Sequence, residues 1–368
     1  MSQDLLDRLR LIRTAGIGPI AFRQLFLRFG SAREALAAIP DLARRGGGKA
    51  PSLYPVAAAE REIAAVEALG GHYLSIGQGL YPRALAELEN APPLITVKGR
   101  LELLERPMVA IVGARNASAA ACRFARGLAH ELGREGISLV SGLARGIDSA
   151  AHDGSIDSGT IAVIAGGIDI VYPPENAARQ KDIAERGLLI AEMPPGTEPR
   201  ARHFPYRNRI IAGLASGTVV VEAAPRSGSL ITARLAAEAG REVMAVPGSP
   251  LDPRAQGCNQ LIRDGATLIQ TAADVIEAIR PTLGQLASPT TSFDHAEAEA
   301  EAEAEAAPDL REAIESLLGP SPVLVDELVR QSGGAAGAVQ LILLELDLAG
   351  RLDRHAGGKV STAPCSQV

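Results

Sequence analysis

Ten residues, Arg200 to Arg209, bring two kinds of chemistry together: they read R-A-R-H-F-P-Y-R-N-R. Arg200, Arg202, Arg207 and Arg209 interleave with His203, Phe204 and Tyr206, and no acidic residue interrupts them. The whole chain holds no Trp, six Phe and five Tyr, so an aromatic pair among arginines stands out from its background. A guanidinium is a planar fork of donors that suits a phosphate, and a flat ring suits an unpaired base. Two readings fit the segment. It is a groove for single-stranded nucleic acid, or it is a basic loop capping a sheet edge and held by internal ion pairs. The apolar stretch Ile210-Ile211-Ala212-Gly213-Leu214 follows and can anchor the segment as a helix against a sheet.

Four glycine-rich turns offer further anion-binding chemistry. In the first, Ile111 to Ser118, Gly113 allows a tight turn, Arg115 adds charge, and the following helix N-terminus favours an anion. The second, Ser141 to Asp148, holds Ser141, Gly142 and Arg145. The third contains Gly166-Gly167 and leads into Tyr172-Pro173-Pro174-Glu175-Asn176. The fourth, Arg226 to Thr232, places Ser227, Gly228, Ser229 and Thr232 at the start of a helix. Each alone is an ordinary strand-to-helix connection. Together with the Arg/aromatic segment they outline one rim able to hold a dinucleotide or several successive phosphates.

The turns also exclude chemistry. The first lacks the full G-x-G-x-x-G fingerprint, and the second strand ends in Ser141-Gly142 rather than an acid for a ribose, which argues against nicotinamide or flavin use. No Gly-Lys-Ser/Thr P-loop is present. His152 and Asp148 stand four residues apart and could face each other on a helix. With no nucleophile beside them, a helix-start acid and a structural His is the simpler reading. Glu222 ends a strand and is read as bonding the neighbouring turn, not as an acid or base.

The elements that must position these residues follow from periodicity. Residues 3 to about 70 read as helical. Leu5, Leu6, Leu9 and Ile12 recur at helical spacing, Pro19 suits a first turn, Ile20–Phe29 stops at Gly30, and Ser31 can cap a third helix. The Gly-rich turn Ala15 to Pro19 suits a helix–hairpin–helix unit or a plain bundle. From about residue 75, apolar and β-branched runs alternate with helical segments: Met108–Val112, Ile137–Val140, Thr160–Ile164, Leu188–Ala191, Thr218–Val221 and Glu242–Val246. Such runs predict an α/β domain, a doubly wound, mainly parallel sheet with its strand-end loops along one rim. Four regions result: a helical domain at 1–72, the α/β domain at 75–285, an Ala/Glu-rich linker at 286–307, and a small last domain at 308–368. Like charges four apart along Ala296 to Glu305 make the linker a solvated, partly helical tether. The last domain reads as helices over Asp309–Leu318, Pro322–Arg330 and Ala335–Ala349, then a hairpin about Gly357-Gly358, the plan of a winged helix. Its third helix offers Leu, Glu345 and Asp347 and no Arg or Lys, so it favours a protein-contact or structural role over reading duplex DNA.

Composition bounds the rest. The 368 residues carry a net charge of −6, so a generally basic coating of nucleic acid is disfavoured and any such site must be local. Arg far outnumbers Lys throughout, so Arg enrichment alone means little. Cys122, Cys258 and Cys365 have neither zinc-ligand nor redox spacing; a reducing compartment, no metal and no cofactor are expected. The first residues, MSQDLLDRLRLIR, keep charges through their apolar run and are not read as a signal peptide. No uninterrupted apolar run approaches the ~18 residues of a membrane span. A cytoplasmic protein is expected.

Taken together these motifs resemble the DNA-processing protein A family (DprA, also called Smf). The resemblance runs from about residue 75 to 285. It rests on Val112-Gly113-Ala114-Arg115, Ser141 to Asp148, Ala151-His152, Tyr172 to Asn176, Phe204-Pro205-x-Arg207-Asn208-Arg209-Ile210-Ile211, Ser227 to Ala233 and Ala245-Val246-Pro247-Gly248, all in order. It implies an extended Rossmann-type domain that binds single-stranded DNA, forms a homodimer and helps load a RecA-type recombinase in natural transformation, without catalysis. By motif, Arg115 falls on the family's phosphate-binding arginine and Phe204 on its base-stacking ring. Gly166-Gly167 and Ser227-Gly228 would supply backbone amides. Arg200 and Arg202 both qualify for the basic position before the ring. The implied DNA-binding set is completed by Gly113, Ser141, Gly142, Arg145, Arg207, Asn208, Arg209, Ser229 and Thr232.

Two other classes compete. Phosphoribohydrolases of the lysine-decarboxylase-like type share the fold and use a P-G-G-x-G-T-x-x-E motif, but Leu235 stands where their catalytic Glu would be, three after Thr232. A pure interaction module would leave the rim idle and act through the terminal domains.

Overall fold

A computed structural model describes residues 2–286, 308–355 and 357–363. The chain divides into two compact units, Met1–Arg61 with Thr290–Val368, and Glu62–Pro289.

The larger unit is built on one sheet. Its strands are β1 (His72–Ser75), β2 (Leu94–Gly99), β3 (Met108–Gly113), β4 (Ser138–Ser141), β5 (Thr160–Ile164), β6 (Leu188–Ala191), β7 (Gly217–Val221), β8 (Glu242–Ala245) and β9 (Thr267–Leu268). Among the described residues these nine strands lie in the order β1-β2-β6-β5-β4-β3-β7-β8-β9. From β6 to β9 every neighbouring pair is parallel, with Val109 opposite Leu139 on one side and opposite Gly217 on the other. The six expected strands all form, within a residue or so of their expected ends. The two-residue β9 was not foreseen, nor were β1 and β2. The latter two add an antiparallel edge, with Thr96 opposite Ala191. β1 reads His-Tyr-Leu-Ser, four residues of mixed polarity whose pairing is decided by β2, twenty-odd residues away.

Alternate residues of β3 serve opposite faces, as the pleat requires. Ala110 and Val112 enter one core with Ile161, Ile190 and Val220; Val109 and Ile111 enter the other with Val219, Val221 and Leu132. The first core is closed by α9 (His203–Leu214) through Ile210, Ile211 and Leu214. The second is closed by α6 (Ala119–Arg134), α7 (Ile147–Ser155) and α12 (Ala272–Leu286). β3 has β4 on one side and β7 on the other, so the winding reverses there and leaves a crevice at the carboxyl ends of β3 and β7. α10 (Gly228–Glu238) begins at that crevice.

The smaller unit starts with α1 (Gln3–Arg13), α2 (Pro19–Phe29) and α3 (Ala32–Arg45). Ser2 and Ser31 cap α1 and α3 through their hydroxyls, and Gly30 ends α2 in the left-handed region, φ 71°. Its second part comprises α13 (Pro308–Leu317), β10 (Val323–Leu324), α14 (Val325–Ser332), α15 (Ala336–Leu348), β11 (Leu352–His355) and β12 (Lys359–Thr362), a winged helix with strand order β10-β12-β11. α14 starts later than expected because Val323 and Leu324 pair with Val360 and Lys359. Ile342, Leu343 and Leu346 form the winged-helix core with Ile314, Leu328 and Val360.

α15 is buried on its other side too. It packs on α3, and a Cβ on Gly46 would come within 2.0 Å of the Glu345 carbonyl oxygen. Glu345, 1% exposed, receives Arg45 at 3.1 Å and also Arg311. The acidic Glu345 of this leucine-rich helix is thus taken up within its own unit. Of the linker read over 286–307, all but Leu286 lies outside the described residues, as does Cys365.

Candidate nucleic-acid interface

Two joined hollows open along the strand-end rim of the larger unit. The larger, about 710 Å³, sits at the switch-point crevice. Its walls are the first turn (Gly113, Arg115, Asn116), one face of α9 (Phe204, Arg207, Asn208, Ile211) and the fourth turn (Arg226 to Ser229, with Thr232). The smaller, about 260 Å³, lies over the ends of β4 and β5, between Gly142–Arg145, Gly166 and Tyr172–Glu175. Arg115, Ala144, Phe204 and Arg207 border both.

Local sequence explains the placement. Gly113 ends β3 against β7, where an added Cβ would sit 1.9 Å from the Val221 carbonyl oxygen. Only glycine lets the strands close there and turns Arg115 outward. Phe204 is held in the first turn of α9, which the buried Ile210, Ile211 and Leu214 anchor. Phe204, Arg207, Asn208 and Ile211 follow the i, i+3, i+4, i+7 rule and share one helix face. The Arg115 guanidinium carbon lies 5.5 Å from the Phe204 ring centre, within cation–π range. On its other flank Phe204 meets Tyr172, with ring centres 5.6 Å apart and planes tilted 55°.

Arg207 is a buried cation beneath both hollows, 7% exposed. Gly142 makes room for it, since a Cβ there would lie 1.4 Å from its Nη1. Asp148 accepts the amides of Gly142 at 3.1 Å and Ala144 at 3.3 Å, shaping the second turn. Burial lowers the Arg207 pKa to about 10, against the pull of Asp148. Burial raises that of Asp148, against the pull of Arg207. The Nε of Arg207 has no hydrogen-bond partner among the described residues.

Neither His152 nor Glu222 lines either hollow. His152 is buried, bonds Thr160 Oγ1 through Nδ1 at 2.7 Å, and is held near pKa 3 by burial and Arg179. It does not face Asp148. Glu222 accepts the amide and the hydroxyl of Ser118, at 2.8 and 2.6 Å, so it fastens the first turn to β7.

Most of the expected residues converge: Gly113, Arg115, Gly142, Arg145, Gly166, Phe204, Arg207, Asn208, Ser227, Gly228, Ser229 and Thr232 line one hollow or both. Five do not, and three of these have polar groups already engaged within the protein. Ser141 is buried and gives its hydroxyl to the Ile111 carbonyl at 2.6 Å. Gly167 gives its amide to the Thr197 carbonyl at 2.9 Å. Arg209 is two residues, and so about 200°, around α9 from Arg207. It is buried against Glu192 at 2.5 Å. Arg200 and Arg202 stand exposed at the start of α9, outside the lining of both hollows. Burial and these two cations, Arg202 foremost, lower the pKa of His203. Likewise the Ser227 amide is taken by the Ala224 carbonyl, which leaves Gly228 as the open position of that turn.

The sequence reading passed over Tyr172, Glu175, Arg226 and Arg254. Tyr172 and Glu175 were visible as part of a motif, and Arg226 begins the fourth turn. Nothing local signals Arg254, which reaches the rim from the loop before α11 (Gln256–Arg263) already paired with Asp252 at 2.8 Å. No helix among the described residues is long and apolar enough to cross a membrane.

The chain is similar to several known proteins. A family model described as DNA recombination-mediator protein A matches residues 72–280. Models of a DprA-like N-terminal HHH domain and a DprA winged helix domain match 2–65 and 298–358. The DNA processing protein DprA of Streptococcus pneumoniae is 46% identical over 204 residues, covering 55% of this chain and 72% of that protein. Protein Smf of Escherichia coli is 34% identical over 311 residues, covering 83% and 82%. The X-ray structure of the S. pneumoniae protein superposes with a TM-score of 0.65 at 36% identity, over 75% of this chain and 98% of that one. A structure of the Helicobacter pylori protein, described as revealing its single-stranded DNA binding mode, gives a TM-score of 0.52 at 28% identity, over 58% and 97%.

Proposed function

The chain belongs to the DNA-processing protein A (DprA/Smf) family, and we propose from that premise that it binds single-stranded DNA along the two joined hollows without catalysing a reaction on it. One observation carries the reading: Arg115, Phe204 and Arg207 meet at the border of both hollows, a phosphate fork beside a stacking ring. Arg115 and Arg145 receive the backbone from the solvent side, and Arg207 adds a fixed charge from beneath. The open Gly228 and the start of α10 admit a further phosphate. The H. pylori relative's description as a single-strand binder supports this reading.

The protein acts in the cytoplasm as a homodimer that protects incoming single strands and assists a RecA-type recombinase. Family membership supports these wider roles. A phosphoribohydrolase activity is disfavoured, because Leu235 stands on α10 where that chemistry needs a Glu, and Glu222 is taken up by Ser118.

The test is retardation of single-strand against duplex oligonucleotides over a salt series. The expected result is a single-strand preference, with affinity falling by a log–log slope of ~0.7 per neutralised phosphate. Equal retardation of duplex, or none of either, overturns the reading. Release of free base from a nucleoside monophosphate would restore the enzyme alternative.

A further inference from the structure

We propose that the α2–α3 face of the helical domain is the receptor for the winged helix of the same chain. In this docking α15, the helix with which such a domain would enter a duplex groove, is sealed in the seam between the two. The inference concerns the smaller unit alone and goes beyond the single-strand reading above.

Shape argues first. Ile342, Leu343 and Leu346 of α15 enter the winged-helix core. Leu341, Leu344, Glu345 and Leu348 stand at i, i+3, i+4 and i+7, a second face that is at most 4% exposed. This is the face that brings Glu345 to Arg45 of α3. Backbone approaches backbone along it. A Cβ on Gly48 would strike the Ala349 carbonyl, as one on Gly46 would strike that of Glu345. Gly46 has φ −68°, which any residue adopts, so the seam and not the turn demands glycine there. Polar groups complete the fit. Gln24 of α2 donates to Gln340 at 2.6 Å, Arg354 donates to Gln24 at 3.2 Å, and Arg351 donates to the Gly46 carbonyl at 3.1 Å.

Charge argues the same way. Residues 2–61 hold ten Arg and Lys against five Asp and Glu, whereas residues 308–363 hold five against eight. A basic protein face suits the winged helix and a polyanion does not. Each of its four arginines already meets a carboxylate of its own domain: Arg311 on Glu345, Arg330 on Glu327, Arg351 on Glu315 and Arg354 on Asp347. Phosphate recognition needs cations left free.

The seam thus makes one body of the two ends of the chain, and α3 and α15 open together. The winged helix serves this chain as a clasp on the helical domain and presents no groove-reading helix.

Hydrogen exchange on the full chain tests the seam. Gly46→Ala adds the one methyl group that the seam excludes. Exchange should quicken by about tenfold or more in both the last turn of α3 and α15, the scale of an overpacked contact, with β3 and β7 unchanged. Arg45→Glu, at a half-exposed position, sets like charge against Glu345 and should act in the same sense, while Arg45→Lys matches wild type. Should Gly46→Ala unfold the whole unit, Arg45→Glu decides. Added duplex DNA should leave the exchange of α15 in the wild-type chain as it is. Wild-type exchange of α15 in these two variants overturns the proposal, and so does protection of α15 by duplex.

Discussion

Arginines gather in two regions of this molecule and meet opposite fates. In the helical and winged-helix unit they are neutralised: Arg45 and Arg311 close on Glu345, Arg351 on Glu315 at 3.0 Å, and Arg354 on Asp347 at 2.7 Å. On the rim of the sheet, Arg115 and Arg145 have no salt bridge among the described residues, and Arg207 shares only the buried field of Asp148. In a chain of net charge −6 carboxylates are the common partner, and that none of them pairs with Arg115 or Arg145 among the described residues is the informative feature. Arginine content alone does not mark a nucleic-acid site; local shortage of counter-charge does.

Five substitutions would break or sharpen that contrast. The largest effect is expected from Glu345→Ala. It removes the buried partner of Arg311 and of the half-exposed Arg45, and should cost ~3 kcal/mol of unfolding free energy. Denaturant midpoints read the loss, and single-strand affinity should stay within about twofold of wild type. A variant as stable as wild type would show that Arg45 and Arg311 are not neutralised there. Phe204→Ala is the mirror case. Gel shifts should lose ~1–3 kcal/mol of binding per stacked base, with little change in stability.

Acid separates the regions by titration. His152 stays neutral in the folded chain, with a pKa lowered from 6.5 to about 3. Its contribution is complete above 6.5 and is lost as pH falls toward 3, because the unfolded chain then binds a proton that the folded chain refuses. The slope approaches ~1.4 kcal/mol per pH unit inside that window. The raised pKa of Asp148 acts in the opposite sense, so the comparison needed is wild type against His152→Gln, whose stability should fall less from pH 7 to pH 5.

The smallest effect is expected among the arginines themselves. Arg115→Ala should weaken binding across all sequences and reduce the salt slope by ~1. Arg202→Ala should do so less, since Arg202 lies outside both hollows. Equal losses would extend the groove to the start of α9.

Much of the fold was legible because its signals are local. β-branched runs marked the strands of the parallel core, Ser and Gly marked the ends of α1 to α3, and glycine turns beside Arg115 and Phe204 marked the rim. The edge strand β1 was not, since four residues of mixed polarity become a strand only through a partner; β2, which opens on the apolar run Leu94 to Val97, carried a local signal that was missed. Sidedness was harder still. Arg207 and Arg209 look alike in a window of ten residues, yet one helical twist sends the first beneath the groove and the second to Glu192. Spacing from Phe204 held that information, but composition did not.

The sequence by itself determined which residues could bind an anion or a base, because charge, planarity and backbone freedom are properties of residue types. Tertiary structure decided which of them are available, because neutralisation and burial depend on neighbours far away in the chain. Glu345 is over thirty residues from Arg311 and three hundred from Arg45, and Tyr172 is thirty-two from Phe204; only folding brings each pair within reach.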